Sequence, residues 1–202
     1  MSIKNPHPLL TLAALLAALP AAASPDNIID LGTLQNNNEG RSSAGNINQN
    51  GSIIVGKAFN GTDEQAAVWQ GGGFNRWQNK INLGTLRSDN SGTSQASQIS
   101  GDGTVIGGRA QNDTDTSANQ YHAVIWYGNG WQNKTALSEP ANATRSDVWG
   151  ISRNGKVVVG YSVHSSGMQI ANVWSGPNHS IRTDLDSLTS VPSGRIAYAV
   201  SD

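Results

Sequence analysis

Beyond residue 28 the apolar residues come in short β-branched runs separated by polar and glycine-rich stretches, and no segment keeps a helical period over a useful length. The clearest run is Asn50-Gly51-Ser52-Ile53-Ile54-Val55-Gly56. It returns as Asp102-Gly103-Thr104-Val105-Ile106-Gly107-Gly108 and as Asn154-Gly155-Lys156-Val157-Val158-Val159-Gly160. Gly51, Gly103 and Gly155 are spaced by 52 residues, and a fixed period of that length means a repeat architecture. Asn-Gly or Asp-Gly ahead of a β-branched run predicts a hairpin, with a two-residue type I′ turn at positive φ and a buried strand after it. Ile47-Asn48, Ile99-Ser100 and Ile151-Ser152 end the strand before each turn.

A third apolar run follows in each copy: Gln65-Ala66-Ala67-Val68-Trp69, His122-Ala123-Val124-Ile125-Trp126 and Ile170-Ala171-Asn172-Val173-Trp174. Each carries Ala three residues before Trp. The stretch from Ile28 to Leu34 reads as a strand and recurs at 81–86, more weakly at 183–188. Each unit thus holds four short strands, the last being the Leu-Gly-Thr-Leu run. The expected fold is all-β: tandem four-stranded repeats forming an incomplete β-propeller-like array. Its blades run about 43–86, 95–137 and 147–188, with the start of a fourth at 197–202. A β-solenoid is the alternative, but its coils are usually shorter and lack the hairpin glycine. On this register 28–34 is a last strand without a blade of its own, and the chain reads as a piece of a longer product. Trp69, Trp126 and Trp174 recur at one position and read as core between blades, each removing roughly 150–250 Å² from water.

Residues 1–23 have the pattern of an export signal. Lys4 is the positive end, Leu9 to Leu19 the apolar stretch, Pro20 its break, and Ala21-Ala22-Ala23 the cleavage site. The apolar stretch is too short to span a bilayer. The rest, 24–202, is the repeat domain, expected at the cell surface, in the outer membrane or outside a Gram-negative cell. The 202 residues include no Cys, so an exported chain of this kind relies on packing and hydrogen bonds rather than disulfides. Its 13 Lys plus Arg and 14 Asp plus Glu give a net charge of −1, which argues against a nucleic-acid partner.

The combined pattern is Leu-Gly-Thr-Leu, then Ile-[Asn/Ser]-x-[Asn/Asp]-Gly before the β-branched run, then [His/Gln]-Ala-x-x-Trp. It resembles the bacterial extracellular HAF repeat, and His122-Ala123-Val124 is nearest to the signature tripeptide. The resemblance covers 28–202. Leu137-Ser138-Glu139 and Asp186 depart from the Leu-Gly-Thr-Leu element. The resemblance implies a propeller-like secreted or surface protein of the kind found in autotransporter passengers, linked in a longer product to an outer-membrane barrel. Its ligand would be a host-surface or extracellular glycan or protein.

Candidate chemistry is sparse. Trp77-Gln78-Asn79-Lys80 recurs as Trp131-Gln132-Asn133-Lys134 after Gly-rich turns. An exposed Trp beside amides is the composition of a sugar platform, so Trp77, Gln78, Asn79, Trp131, Gln132 and Asn133 are the candidate binding residues of a lectin reading. A hydrolase reading would place Asp184, Asp186 or His179 in the mouth of the array. His122 reads as structural. Asn112-Asp113-Thr114-Asp115 lacks the turn Gly and distal Glu of a Ca²⁺ loop. No HExxH, nucleophile elbow or His pair at ligand spacing is present, so no catalytic residue, metal or cofactor is assigned.

Overall fold

The computed structural model describes residues 29–71, 77, 79–117, 119–185, 194 and 196–201. The leader, Ile28, Gln78, Asp186 and Asp202 lie outside the described residues. Strands β1 (Ser42–Ile47), β2 (Ile53–Phe59), β3 (Glu64–Gln70) and β4 (Asn79–Asn82) form the first sheet. The second comprises β5 (Ser94–Ile99), β6 (Val105–Ala110), β7 (His122–Tyr127) and β8 (Asn133–Ala136). The third comprises β9 (Ala143–Ile151), β10 (Val158–His164), β11 (Gln169–Ser175) and β12 (Ile181–Asp184). The fold is all-β: each sheet is four-stranded, antiparallel and ordered as the chain runs. Helix is confined, among the described residues, to 3₁₀ turns at Asn129–Trp131 and Pro177–His179.

Two local expectations need correction. Gly51, Gly103 and Gly155 do take positive φ, at 72°, 77° and 70°, but Asn50, Asp102 and Asn154 do not. The turn is therefore not type I′. A longer loop is closed by a side chain instead: Asn48 Oδ1 accepts from the Ile53 amide at 2.9 Å. Ser100 Oγ and Ser152 Oγ accept from the Val105 and Val157 amides at 3.0 Å. Second, Leu-Gly-Thr-Leu is not a strand at 31–34 or 83–86; the fourth strand is the Asn-Lys stretch just before it. Gly84, at φ 68°, turns the backbone out of the ladder, and the Asn90 carboxamide fills the space where its Cβ would stand. These segments are crossovers. The Leu83 amide still bonds Ala66 in the sheet it leaves (2.9 Å), while the Leu86 amide bonds Gln111 beyond the sheet it enters (2.9 Å). Leu34 repeats the second bond with Phe59 at 3.0 Å, so the segment up to Leu34 leads into the first sheet. Residues 196–201 form no strand either; the Ala197 amide reaches Gly160 at 3.3 Å.

The glycine that ends each recurring run has a steric cause. The first strand of every sheet bulges: at Gly45 in β1, Ser97 in β5 and Trp149 in β9. The bulge pushes a carbonyl over the neighbouring strand. A Cβ on Gly56, Gly108 or Gly160 would lie 2.0, 1.9 or 2.0 Å from the carbonyl oxygen of Ser43, Gln95 or Asp147.

Sheets pack face to face. β5 lies across β2 and β3, β9 lies across β6 and β7, and the first strands β1, β5 and β9 are neighbours. One core joins Val55, Val68 and Leu83 to Ile106, Val124 and Trp126; a second joins Ile125 and Leu137 to Val148, Val158 and Trp174. Trp69, Trp126 and Trp174 are all fully buried, as their recurrence predicts. Polar stitches repeat at both junctions. The Trp126 indole donates to the Leu83 carbonyl at 3.1 Å and the Trp174 indole to Ser138 at 2.8 Å. Ser94 and Ser146 hydroxyls accept the otherwise unladdered amides of Ala66 and Ala123, at 2.8 and 2.6 Å. Asn46 on β1 donates to Gln98 on β5, its counterpart 52 residues on, at 2.6 Å.

Candidate functional site

The residue after each bulge-facing glycine sits at one position of the repeat: Lys57 on β2, Arg109 on β6 and Tyr161 on β10. Each pairs with the matching residue of the first strand, Ser43, Gln95 and Asp147. These positions lie toward the ends of the sheets opposite the glycine turns. Because the sheets stack in register, the side chains converge. Those of Lys57, Arg109 and Gln95 line a cleft of about 290 Å³, whose walls also include Glu64, Tyr121 and Arg145.

The electrostatics of the cleft are specific. Lys57 is paired with Glu64 at 2.5 Å. Arg109 is held on three sides: Asp147 of the next sheet at 3.3 Å, the Gln95 amide oxygen at 3.1 Å, and the Tyr121 ring 4.3 Å from its guanidinium carbon. The Asp147 side chain is only 5% exposed, and its Oδ1 has no partner among the described residues. Burial therefore pushes its carboxyl up to about 6, against the pull of Arg109. Burial, and the hydrogen bond that its hydroxyl donates to Tyr121, likewise raise the Tyr161 phenol. Arg145, half-buried, has no acidic partner among the described residues, and its Nε is buried without a hydrogen bond. The cleft can thus accept hydrogen bonds, donate many, and supply one cation that no acidic group among the described residues pairs with.

The residues singled out by composition fall elsewhere. Trp131 is 7% exposed, which corrects its reading as an open sugar platform. Its 3₁₀ turn tucks the ring beneath the glycine turn, where the indole donates to Gly103 at 3.1 Å. Trp77 is half-buried against the cluster of Trp69, Ala67 and Ile54, so it too is largely packing. Asn79 is exposed and bonds Gln70 at 2.6 Å; Gln132 and Asn133 are exposed on the second sheet; Gln78 lies outside the described residues. The Lys that ends the recurrence is a clasp: Lys80 reaches Asn38, and Lys134 reaches Asn90 at 2.5 Å. His179, expected in an open mouth, is buried at the place in the third sheet that Trp131 holds in the second, with Nε2 2.8 Å from the Gly155 carbonyl. Asp184 takes bonds from Asn172 and Arg182, both at 2.8 Å, and Asp186 lies outside the described residues. Sequence reasoning passed over the cleft, although one signal was visible: a long polar residue directly after the motif glycine in every copy.

His122 forms a separate charged knot. Its Nδ1 lies 2.9 Å from Glu139 and its Nε2 3.0 Å from the buried Asp115. The hydrogen bond to Glu139 leads in pushing the imidazole up to about 9, with burial opposing. At neutral pH an imidazolium therefore ties β7 to the Asp115 loop and to the crossover that carries Glu139. The folded pKa lies above the usual 6.5, so this stabilisation is complete below 6.5 and lost as the pH rises through about 9. The side chain is 17% exposed, and the contribution is on the order of 2–3 kcal/mol. His122→Gln, which installs the residue the first sheet carries as Gln65, should lower the urea midpoint at pH 6 and leave it nearly unchanged at pH 10. Equal losses at both pH values would refute the charged knot.

No protein-family model matches this chain, and a search of the curated proteins finds no match.

Proposed function

We propose that this chain is an exported, propeller-type repeat module that binds a ligand at the cell surface or outside the cell, within an autotransporter passenger. The leader pattern of residues 1–23 and the HAF-like repeat support export. Support for a propeller-type array comes from the first strands β1, β5 and β9 lying together while each sheet packs face to face on the next. The observation that carries the binding role is the cleft. Lys57 and Arg109, equivalent positions of two repeats, meet there, and the half-buried Arg145 of the third sheet has no acidic partner among the described residues. A surface with only a packing role has no reason to keep a cation in that state.

Expression with residues 1–23 in a Gram-negative host should yield a processed chain beginning at Ser24 outside the cytoplasm. An unprocessed cytoplasmic chain would reject export. A structure of the longer product should show further sheets around one axis, followed by a barrel; a linear stack would replace the propeller reading with a solenoid.

A further inference from the structure

We propose that the cleft binds an acidic saccharide, with the Arg145 guanidinium taking the sugar carboxylate beside Arg109. This rests on the binding-module reading above and names the ligand class of the same site.

Size comes first. At about 290 Å³ the cleft stands at the lower end of the roughly 300–1,000 Å³ common for small-molecule sites, which suits a sugar ring and not a polypeptide face. Polarity comes next. Gln95, Asn119 and Thr93 line the cleft with amide and hydroxyl groups, and Tyr121 adds one aromatic side chain. An apolar ligand would desolvate these groups without repaying them, whereas ring hydroxyls both donate and accept. Charge selects within the sugars. Lys57 is matched by Glu64 and Arg109 by Asp147, which leaves the single positive charge of Arg145. One excess cation fits one carboxylate, and the planar fork of a guanidinium matches a carboxylate with two parallel hydrogen bonds. A phosphate dianion would leave a negative charge uncompensated beside Glu64 and Asp147.

Preorganisation supports the assignment. Arg109 is already fixed by Asp147, Gln95 and the Tyr121 ring, so its position costs little further ordering on binding. Arg145 is the group free to bond. It sits at the start of β9, on the sheet that closes the cleft over the second sheet.

The test is calorimetric titration of the full chain with trigalacturonate, a neutral galactotriose and inorganic phosphate. Trigalacturonate should bind, galactotriose at least tenfold more weakly, and phosphate not at all at the same concentrations. Arg145→Gln should weaken trigalacturonate binding at least tenfold and leave galactotriose binding unchanged. Arg145→Lys should fall between, keeping charge but losing the fork. Unfolding midpoints of both variants should match the parent, since Arg145 makes no ion pair or hydrogen bond among the described residues that the fold would lose. Equal binding of the acidic and neutral sugars, or an Arg145→Gln variant that binds like the parent, would overturn the carboxylate assignment while leaving a binding module in place. Preferential phosphate binding would overturn the saccharide class. No binding by any member of a panel of acidic glycans, neutral glycans and surface proteins would overturn the module itself together with this assignment.

Discussion

Replacing Gly108 with alanine is expected to cost about 3–5 kcal/mol, the range in which a single change breaks a specific structural feature. The added Cβ would stand 1.9 Å from the Gln95 carbonyl oxygen, 3.0 Å from its carbon and 3.1 Å from Ala96 Cα. All three are backbone atoms, so no side chain can swing away. Relief requires opening the β5 bulge between Ala96 and Gln98, which undoes the pairing of Ala96 with Gly108. Gly103→Ala provides the contrast. Its φ of 77° strains alanine, but the backbone near its Cβ is clear and the close atoms are the flexible Ile53 Cδ1 at 2.7 Å and Asn48 Nδ2 at 3.2 Å. That change should cost roughly 1 kcal/mol. Urea unfolding of the two variants side by side decides the matter: midpoints lowered by similar amounts would show that the bulge yields and that the close approach is not what holds the glycine.

The two glycines also explain why the repeat could be read so clearly. At both places the backbone itself sets the requirement, a positive φ in the loop and a carbonyl pressed against the strand, so the residue type repeats at a strict spacing. Trp and Ala recur for a related reason, since each sheet must interdigitate with the next at fixed depth. The Leu-Gly-Thr-Leu run misleads because its composition is strand-like while its conformation is not. What removes it from the ladder is a positive φ at Gly84 and the carboxamide of Asn90 seated beside it. The turn type was hidden likewise, because closure comes from the side chains of Asn48, Ser100 and Ser152, three residues before each glycine.

The site was less legible. Trp-Gln-Asn-Lys has the same composition whether the ring faces solvent or core, and Trp131 is buried through a positive φ of 53°, which residue type does not announce outside Gly and Asn. The cleft needs contacts between repeats. Arg109 and Asp147 are 38 residues apart, on different sheets, and meet only because β9 packs across β6 and β7. Spacing alone displays Lys57, Arg109 and Tyr161 as one position, but the change from cation to phenol disguises it as a variable surface site.

Trp126→Ala should destabilise by about 3–5 kcal/mol, because the fully buried ring fills the junction of the first two sheets and little around it can collapse. Trp126→Phe separates packing from hydrogen bonding. Phenylalanine keeps most of the apolar contact but loses the indole bond to the Leu83 carbonyl, made at 3.1 Å across the junction. A lost buried bond of this kind costs about 1–2 kcal/mol. The first sheet supplies an internal control. Trp69 occupies the same repeat position and is equally buried, yet its indole N–H has no partner among the described residues. Trp69→Phe removes an unsatisfied donor instead of a bond, so its stability should be unchanged or slightly higher. The two phenylalanine variants therefore move in different directions from nearly the same shape change. Matching losses in both would mean that ring volume alone sets the cost and that the indole stitch between sheets contributes nothing.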